Sequence, residues 1–288
     1  MPFASDFRDK SSGIANRDVL EMHARRFIRR RSAKGTYSLS ADRILTTNPD
    51  GHKMYLDAED ISITPTLLIR RLWEPGTTRL LRRLVHPGQR VLEVGANIGW
   101  YTLQSAERVG PRGHVRAFEP NPRTFDVLHD NIWINGFHDR VIMDSHALSR
   151  TSGEAILRIP GNYNAGSHLR SPDDDGLLWM NQKGKEVKVQ TSTLDEALSD
   201  NLHYDVLKID VEGFEPEVFA GGKEFFAANP DLRMIMEFTP VVHGKELLDW
   251  FRGHGYKLHT INRLGRTRPT HDDAELMAHT VIDLFITG

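Results

Sequence analysis

The chain has 288 residues, a formal net charge of −2 and 39% hydrophobic residues, which suffices for one large core with a small appendage. It contains no cysteine, which excludes disulfides, thiolate metal sites and a cysteine nucleophile. The near-neutral charge indicates no polyanionic partner, and no apolar run approaches the ~18 residues of a membrane span. Because the first residues are polar and no apolar stretch follows them, they do not have a signal-peptide pattern, and we predict a cytoplasmic protein.

The first predicted element is a helix within the first 34 residues. Asn16 or Asp18 would cap it, and it carries a dense basic run that ends at Arg31. A positive helix face can contact phosphates or membranes. In a chain of neutral overall charge, however, the solvated face of a docking helix is the favoured interpretation.

Two further elements are predicted before residue 86. Alternating residues over 37–56, with an Asn-Pro-Asp-Gly turn at 48–51, predict a hairpin. Residues 61–85 have a helical pattern in two pieces, divided near Trp73 where a Pro-Gly pair follows.

After residue 90 the pattern changes to an alternation of strands and helices. Helices are predicted after Ile98, Pro122, Pro216 and Gly244, and strands at 91–94, 114–118, 141–145, 206–210, 234–238, 257–261 and 281–286. The interval 147–201 interrupts this rhythm, with strand-like pieces at 155–159 and 187–191 around a polar loop. The alternation predicts an α/β fold with a mostly parallel sheet between helices, and ligands of such sheets bind beyond the carboxyl ends of the strands.

The most informative segment is the first of these strands and the turn that follows it. The strand contains Glu93 and leads into Gly95 and Gly99, after which a helical pattern begins at once. Glycines let the backbone approach a ligand closely, and a helix start presents free N–H groups. The Gly-x-x-x-Gly spacing differs from that of dinucleotide sites, which disfavours an NAD-dependent dehydrogenase. It is typical of S-adenosylmethionine-dependent methyltransferases.

Polar side chains also stand at the ends of the next two strands. Glu119 follows Gly99 by 20 residues, the distance at which a βαβ unit brings the two strand ends together. A carboxylate there is suited to accept both hydroxyls of a ribose. Asn121 precedes a proline and is expected first to cap the next helix. Ser145 could meet an adenine edge, although a helix cap or solvent contact explains it nearly as well.

Charged residues alternate with apolar ones where the fourth strand ends. Charges in a crevice cost desolvation unless they have a partner. Asp210 is therefore predicted to be functional and to face Glu93. For Glu212 a functional role and a structural role are equally supported, and Lys208 is expected to pair with nearby carboxylates. The fifth strand brings Glu237 to the same edge.

Several motifs in order resemble the FkbM-type S-adenosylmethionine-dependent methyltransferases. They are the segments 93–103, 117–121, 131–136, 193–196 and 207–213, with 72–75 upstream and 236–238 downstream. The resemblance covers about 61–238. It implies a seven-stranded class I methyltransferase fold with an antiparallel last strand, and methyl transfer to a hydroxyl of a sugar or secondary metabolite.

The resemblance also implies roles for individual residues. It places Asp210 beside the methyl donor and Glu119 at the ribose. The other cofactor-binding residues are Glu93, Gly95, Ala96, Asn97 and Gly99 around the methionine part, with Asn121 and Ser145 near the adenine end. His168 stands where the family usually has a small residue.

An alcohol is a poor nucleophile at neutral pH, so a base near its proton helps transfer. The candidate catalytic residues are His243, His168 and Asp210, with Glu237 in support. Any one of these histidines is more often a surface or loop residue than a base. Candidate acceptor-binding residues are Trp73, Tyr163 and Asn164, although packing explains Trp73 and Tyr163 equally well.

We therefore predict an S-adenosylmethionine-dependent O-methyltransferase with an N-terminal extension over 1–85 that helps to form the acceptor site. The methyltransferase domain would span 86–288, with the insertion at 147–201. Methylation of nitrogen, RNA or protein is one alternative, and a non-catalytic S-adenosylmethionine-binding regulator is another. We expect a small or glycosylated hydroxyl acceptor, no nucleic-acid partner and no resident metal, and a homodimer is left open.

Overall fold

The computed structural model describes residues 35–170 and 184–288, so the basic helix proposed near the N-terminus lies outside the described residues. The strands are β1 (Tyr37–Ser38), β2 (Arg43–Thr47), β3 (Lys53–Asp57), β4 (Arg90–Val94), β5 (His114–Phe118), β6 (Val141–Asp144), β7 (Ala147–Leu148), β8 (Gly153–Ile159), β9 (His168–Leu169), β10 (Lys185–Ser192), β11 (Val206–Ile209), β12 (Arg233–Phe238), β13 (Lys257–Ile261), β14 (Thr267–Thr270) and β15 (Ile282–Thr287). The helices are α1 (Ile63–Arg70), α2 (Pro75–Leu84), α3 (Trp100–Val109), α4 (Pro122–Ile134), α5 (Leu194–Ala197), α6 (Glu215–Ala220), α7 (Lys223–Ala228), α8 (Pro240–Gly253) and α9 (Asp273–Met277).

The main sheet has the strand order β14-β13-β15-β12-β11-β4-β5-β6. Strands β6, β5, β4, β11 and β12 pair in parallel, and β15 lies antiparallel between β12 and β13. This confirms the predicted α/β methyltransferase architecture. The eighth strand, β14, is a correction: it extends the predicted seven-stranded sheet as the hairpin partner of β13. Its residues are mostly exposed, so they give no periodic apolar signal.

One helix boundary differs from the prediction, and one helix is additional. Helix α8 begins at Pro240, ahead of Gly244, which forms a kink within it at φ 62°. Helix α9 is the additional one, and it begins where the Asp272 carboxylate accepts the backbone N–H groups of Ala274 and Glu275. The break between α1 and α2 near Trp73 is confirmed.

The segments outside the main sheet form two small sheets. The predicted hairpin is present as β2 and β3, with β1 added at its edge. The side chains of Asn131 in α4 and of Asn135, which follows that helix, accept the backbone N–H groups of Tyr55 and Lys53, which attaches β3 to the main domain. In the interrupted interval, the two predicted strands lie in a sheet of order β7-β10-β8-β9.

Alternate residues of the central strands face two different hydrophobic clusters. In β12, Met234 and Met236 pack in one cluster, and Ile235 packs in the other with α3. Because side chains alternate between the two faces of a strand, Glu237 shares the face of Ile235. On β4 and β11 the same parity places Glu93 and Lys208 on this face, and the two residues are cross-strand partners. The fold therefore gathers charged side chains on one face, near the carboxyl edge of the sheet.

Candidate functional site

A cavity of about 690 Å³ opens at the carboxyl ends of β4, β5, β11 and β12. This is the edge at which open α/β sheets bind their ligands, and the volume suits a small molecule. The lining residues used below are Trp73, Glu74, Gly95, Ala96, Asn97, Tyr101, Glu119, His146, Tyr163, Asn164, His168, Lys208, Asp210, Glu212, Glu237, Val241 and Val281.

The turn after β4 forms one wall of the cavity. The backbone N–H groups of Gly95 and Ala96 both donate to the carbonyl of Phe118, which ties the turn to β5. Gly95 has φ +81°, and a Cβ atom added to it would lie 1.8 Å from the Asp210 carbonyl oxygen. Only glycine therefore fits where the ends of β4 and β11 approach each other. Asn97, at φ 50°, continues the wall.

Glu119 lies on the same wall and is held by the backbone. Its two carboxylate oxygens accept the N–H groups of Asn97 at 2.8 Å and Asn121 at 2.9 Å. Burial raises the pKa of Glu119 to about 7. Each carboxylate oxygen has a further lone pair, so the fixed carboxylate can accept hydrogen bonds from two neighbouring hydroxyl groups.

Lys208 provides the positive charge of the cavity floor. Its Nζ atom lies 2.9 Å from Asp210 Oδ2 and 5.0 Å from the ring centroid of Tyr101. Burial alone would lower the pKa of Lys208, but the carboxylates of Asp210 and its neighbours outweigh this and raise it. The expectation that Lys208 pairs with carboxylates is confirmed.

Carboxyl groups outnumber this cation. Burial raises the pKa of Glu74 to about 7, and burial together with Asp210 raises the pKa of Glu237 to about 9. The same two causes hold the pKa of Glu212 well above its usual range. These raised pKa values mean that the cavity holds more acidic groups than it can ionise at once, so its electrostatics favour a ligand that carries positive charge.

Four of the predicted cofactor-binding residues do not line the cavity. Gly99 starts helix α3 behind it, and Glu93 is buried beneath it with its carboxylate accepting the Thr102 hydroxyl at 2.7 Å. Asn121 caps α4 as expected, and its side-chain amide also donates to Ser167 at 3.2 Å. Ser145 is exposed to solvent, and the adjacent His146 lines the cavity in its place.

His243 is a correction to the candidate bases. It is 5% exposed and does not reach the cavity. Its Nδ1 atom accepts the N–H of Thr239 at 2.9 Å, so Nε2 carries the proton and donates to the Glu215 carboxylate at 2.6 Å. Both ring nitrogens are engaged in structural hydrogen bonds, which leaves no site on His243 to take a proton from a ligand.

His168, in contrast, is buried in the cavity wall. Its Nδ1 atom lies 2.9 Å from the carbonyl oxygen of Gly166, which fixes the proton on Nδ1. The Nε2 atom then carries the lone pair in the neutral ring. Asp210 and Glu237 also line the cavity, so three of the four candidate catalytic residues are brought together.

The remaining predictions concern acceptor contacts. Trp73, Tyr163 and Asn164 all line the cavity. Two further lining residues, Glu74 and Tyr101, were not predicted from the sequence. They meet on the floor of the cavity, where the Tyr101 hydroxyl donates to Glu74 at 2.6 Å. Glu74 has φ 36°, and its position between a tryptophan and a proline at the helix break was the available signal.

The described ranges 35–170 and 184–288 contain neither a metal-binding cluster nor a membrane-spanning helix. No group of three or more His, Asp or Glu side chains in these ranges is arranged to hold a metal ion. Every helix in them falls short of the length and apolar character that a membrane crossing needs.

Residues 93–258 match the family model described as the methyltransferase FkbM domain. The chain is 30% identical over 158 residues to "Methyltransferase sdnD" of Sordaria araneosa, which covers 46% of this chain and 60% of that protein. It is 26% identical over 197 residues to "31-O-demethyl-FK506 methyltransferase FkbM" of Streptomyces tacrolimicus, which covers 60% and 74% of the two chains. The chain thus spans less than two thirds of the first relative's length.

Among solved structures, the chain resembles the O-methyltransferase from Bacillus cereus in complex with S-adenosylhomocysteine. The sequence identity is 13%, the match covers 81% of this chain and 84% of that chain, and the TM-score is 0.41.

Proposed function

Since its match to the FkbM domain model spans more than half of its length, the chain belongs to the FkbM family of S-adenosylmethionine-dependent methyltransferases, and we propose that it methylates a hydroxyl group of a sugar or secondary metabolite. The observation that carries this proposal is the wall made by the Gly95–Asn97 turn and Glu119. There the backbone of the turn that begins at Gly95 and the Glu119 carboxylate, which the Asn97 N–H holds in place, line the same cavity.

The residues present fit the cofactor. Glu119 would accept the two ribose hydroxyls, and the turn at Gly95, Ala96 and Asn97 would lie along the methionine part. The surplus of carboxyl groups around Lys208 would balance the positive charges of the sulfonium and ammonium groups. When bound, S-adenosylmethionine supplies an electrophilic methyl group on its sulfonium.

The transfer would be a single in-line displacement, in which the acceptor oxygen takes the methyl group that the cofactor supplies, S-adenosylhomocysteine leaves, and the hydroxyl proton passes to a base. The protein has to hold the acceptor oxygen in line and exclude water. We assign the base to His168, because its imidazole lines the cavity and is oriented by the contact between Nδ1 and the Gly166 carbonyl oxygen.

Asp210 is the competing candidate for the base. Its Oδ2 atom already accepts a hydrogen bond from the Lys208 ammonium group at 2.9 Å. We therefore give Asp210 the role of holding Lys208 and facing the positive methyl donor. Glu237, whose pKa is about 9, keeps its proton at neutral pH and acts as a hydrogen-bond donor.

We assign acceptor binding to the lining residues that come from outside the strand ends. Trp73 and Glu74, from the segment before residue 86, line the cavity together with Tyr163 and Asn164 from the 147–201 insertion. This arrangement supports the division into an N-terminal extension that contributes to the acceptor site and a methyltransferase domain that binds the cofactor.

The proposal is tested by incubating the protein with S-adenosylmethionine carrying a labelled methyl group and a panel of sugar, polyketide and terpenoid alcohols together with matched amines. A product that carries the label on oxygen, formed together with S-adenosylhomocysteine, is expected. Label found only on nitrogen acceptors, or cofactor binding with no transfer to any acceptor of the panel, would contradict O-methylation.

A further inference from the structure

The mouth of the cavity is ringed by exposed apolar side chains. Val241 is 72% exposed, Val281 is 48% exposed and Tyr163 is 45% exposed, and all three line the cavity. A residue that is both exposed and in the lining lies at the opening. Exposed apolar groups that share one site indicate a surface that a ligand covers.

Three separate elements bring these side chains together. Phe238 of β12 is the cross-strand partner of Ile282 in β15, so Val281 lies beside the end of β12. Val241 follows that strand end in the first turn of α8. Tyr163 comes from the insertion, between β8 and β9, and lines the same cavity as Glu212 and Glu237.

The groups just inside the mouth do not suit a negatively charged acceptor. Glu74, Glu212 and Glu237 line the inner cavity, while Lys208 is the one lysine or arginine among the lining residues that the structure describes. Lys208 is already paired with Asp210. Recognition of a phosphate needs cationic groups or free backbone donors aimed at its oxygens. A phosphate here would instead lie among acidic side chains, beside a lysine that is already engaged.

We infer that the acceptor is a neutral alcohol with an apolar body next to its reacting hydroxyl, held at the mouth by Tyr163, Val241 and Val281. Phosphorylated sugars, nucleotide-linked sugars and nucleic acids are excluded. This inference rests on the proposed methyl transfer and adds the substrate class and the residues that select it.

The test measures binding of three probes to the full chain saturated with S-adenosylhomocysteine, with tryptophan fluorescence as the readout because Trp73 lines the cavity. The probes are n-octyl β-D-glucopyranoside below its micellar concentration, methyl β-D-glucopyranoside and glucose 6-phosphate. The octyl glucoside is expected to bind at least about tenfold tighter than the methyl glucoside, because its added methylene groups leave water. Glucose 6-phosphate is expected to bind more weakly than both.

Two variants and one control locate the binding. Val241→Ser and Val281→Ser are each expected to weaken octyl glucoside binding by about threefold to tenfold. Ile69→Ser is the matched control, because Ile69 is 81% exposed and does not line the cavity, and it should bind the probe as the wild type does. Equal loss in all three variants would mean nonspecific adsorption and would overturn the inference.

The outcomes separate this inference from the proposed function. If the wild type fails to bind S-adenosylhomocysteine, the proposed function fails first. If the wild type binds S-adenosylhomocysteine but prefers glucose 6-phosphate, or does not distinguish the two glucosides, the inferred substrate class is wrong. The proposed methyltransferase activity is not contradicted by that result.

Discussion

The Nε2 atom of His243 lies 2.6 Å from the Oε2 atom of Glu215, and neither side chain reaches the cavity. Glu215 also accepts the backbone N–H groups of Val211 at 2.8 Å and Gly213 at 3.0 Å. The pair therefore connects the loop after β11, which carries Glu212, to the junction of β12 and α8. His243 therefore stabilises the position of this loop and does not take the proton of the acceptor.

Replacing His243 by alanine is expected to lower the free energy of unfolding by ~1.5–3 kcal/mol, because it removes one of the three hydrogen bonds that the 1% exposed Glu215 carboxylate accepts. Urea unfolding measures this loss. His86→Ala, at an exposed histidine, is the control and should change stability little. A His243→Ala variant as stable as the wild type but unable to transfer methyl groups would restore His243 as a base.

Substitution of Gly95 by alanine is expected to disrupt the cavity wall. Its new Cβ atom would collide with the Asp210 carbonyl at 1.8 Å, so the backbone would have to move. Gly88→Ala is the matched control, since Gly88 has φ +84° but open space around it and costs only the ~1–2 kcal/mol of the left-handed conformation. Thermal unfolding should show a larger loss for Gly95→Ala. Equal losses would mean that the close approach of β4 and β11 is not rigid.

The Glu237→Gln variant is expected to gain stability over the wild type as the pH rises. The pKa of Glu237 is raised from 4.5 to about 9 on folding, so between these values the folded state keeps a proton that the unfolded state has lost. Raising the pH through this window therefore destabilises the wild type, by no more than ~1.4 kcal/mol per pH unit, and glutamine has no such proton.

Chemical unfolding at several pH values between 5 and about 9 measures this difference. The exposed Glu224→Gln is the control and should follow the wild type. A difference between Glu237→Gln and the wild type that stays constant with pH would show that Glu237 is ionised in the folded protein.

Once an acceptor is known, His168→Gln is expected to reduce kcat by ~10²–10⁴, the usual contribution of a general base. Binding of S-adenosylhomocysteine should persist, because His168 is assigned to the acceptor proton. Measuring kcat at saturating cofactor separates the two candidate bases: the loss should be larger in His168→Gln than in Asp210→Asn. The reverse result would assign the base to Asp210.

The sequence predicted the fold well where local signals agree with burial. The parallel strands are buried on both faces and therefore appear as apolar runs, and the Gly95 turn follows directly from one of them. Strand β14 was missed because its side chains are exposed. The edge of the sheet could be predicted as the site because strand order fixes which ends meet.

The roles of individual side chains at that edge could not be predicted in the same way. Ser145 and His146 are adjacent, and the end of β6 decides which of them faces the cavity. The sequence does not distinguish His243 from His168: tertiary packing brings His168 to the cavity and pairs His243 with Glu215 outside it. Glu74 lies at the break between α1 and α2, and the packing of α2 determines that it reaches the cavity.

The proposed methyltransferase site requires Glu119 to anchor the ribose of the cofactor. We would titrate S-adenosylhomocysteine by calorimetry into the wild type, Glu119→Ala and the exposed control Glu224→Gln, after confirming that all three are folded. Binding to the wild type and to Glu224→Gln, with at least a tenfold loss (~1.4 kcal/mol) in Glu119→Ala, is the predicted result. No binding to the wild type, or equal affinity in all three proteins, would contradict the account.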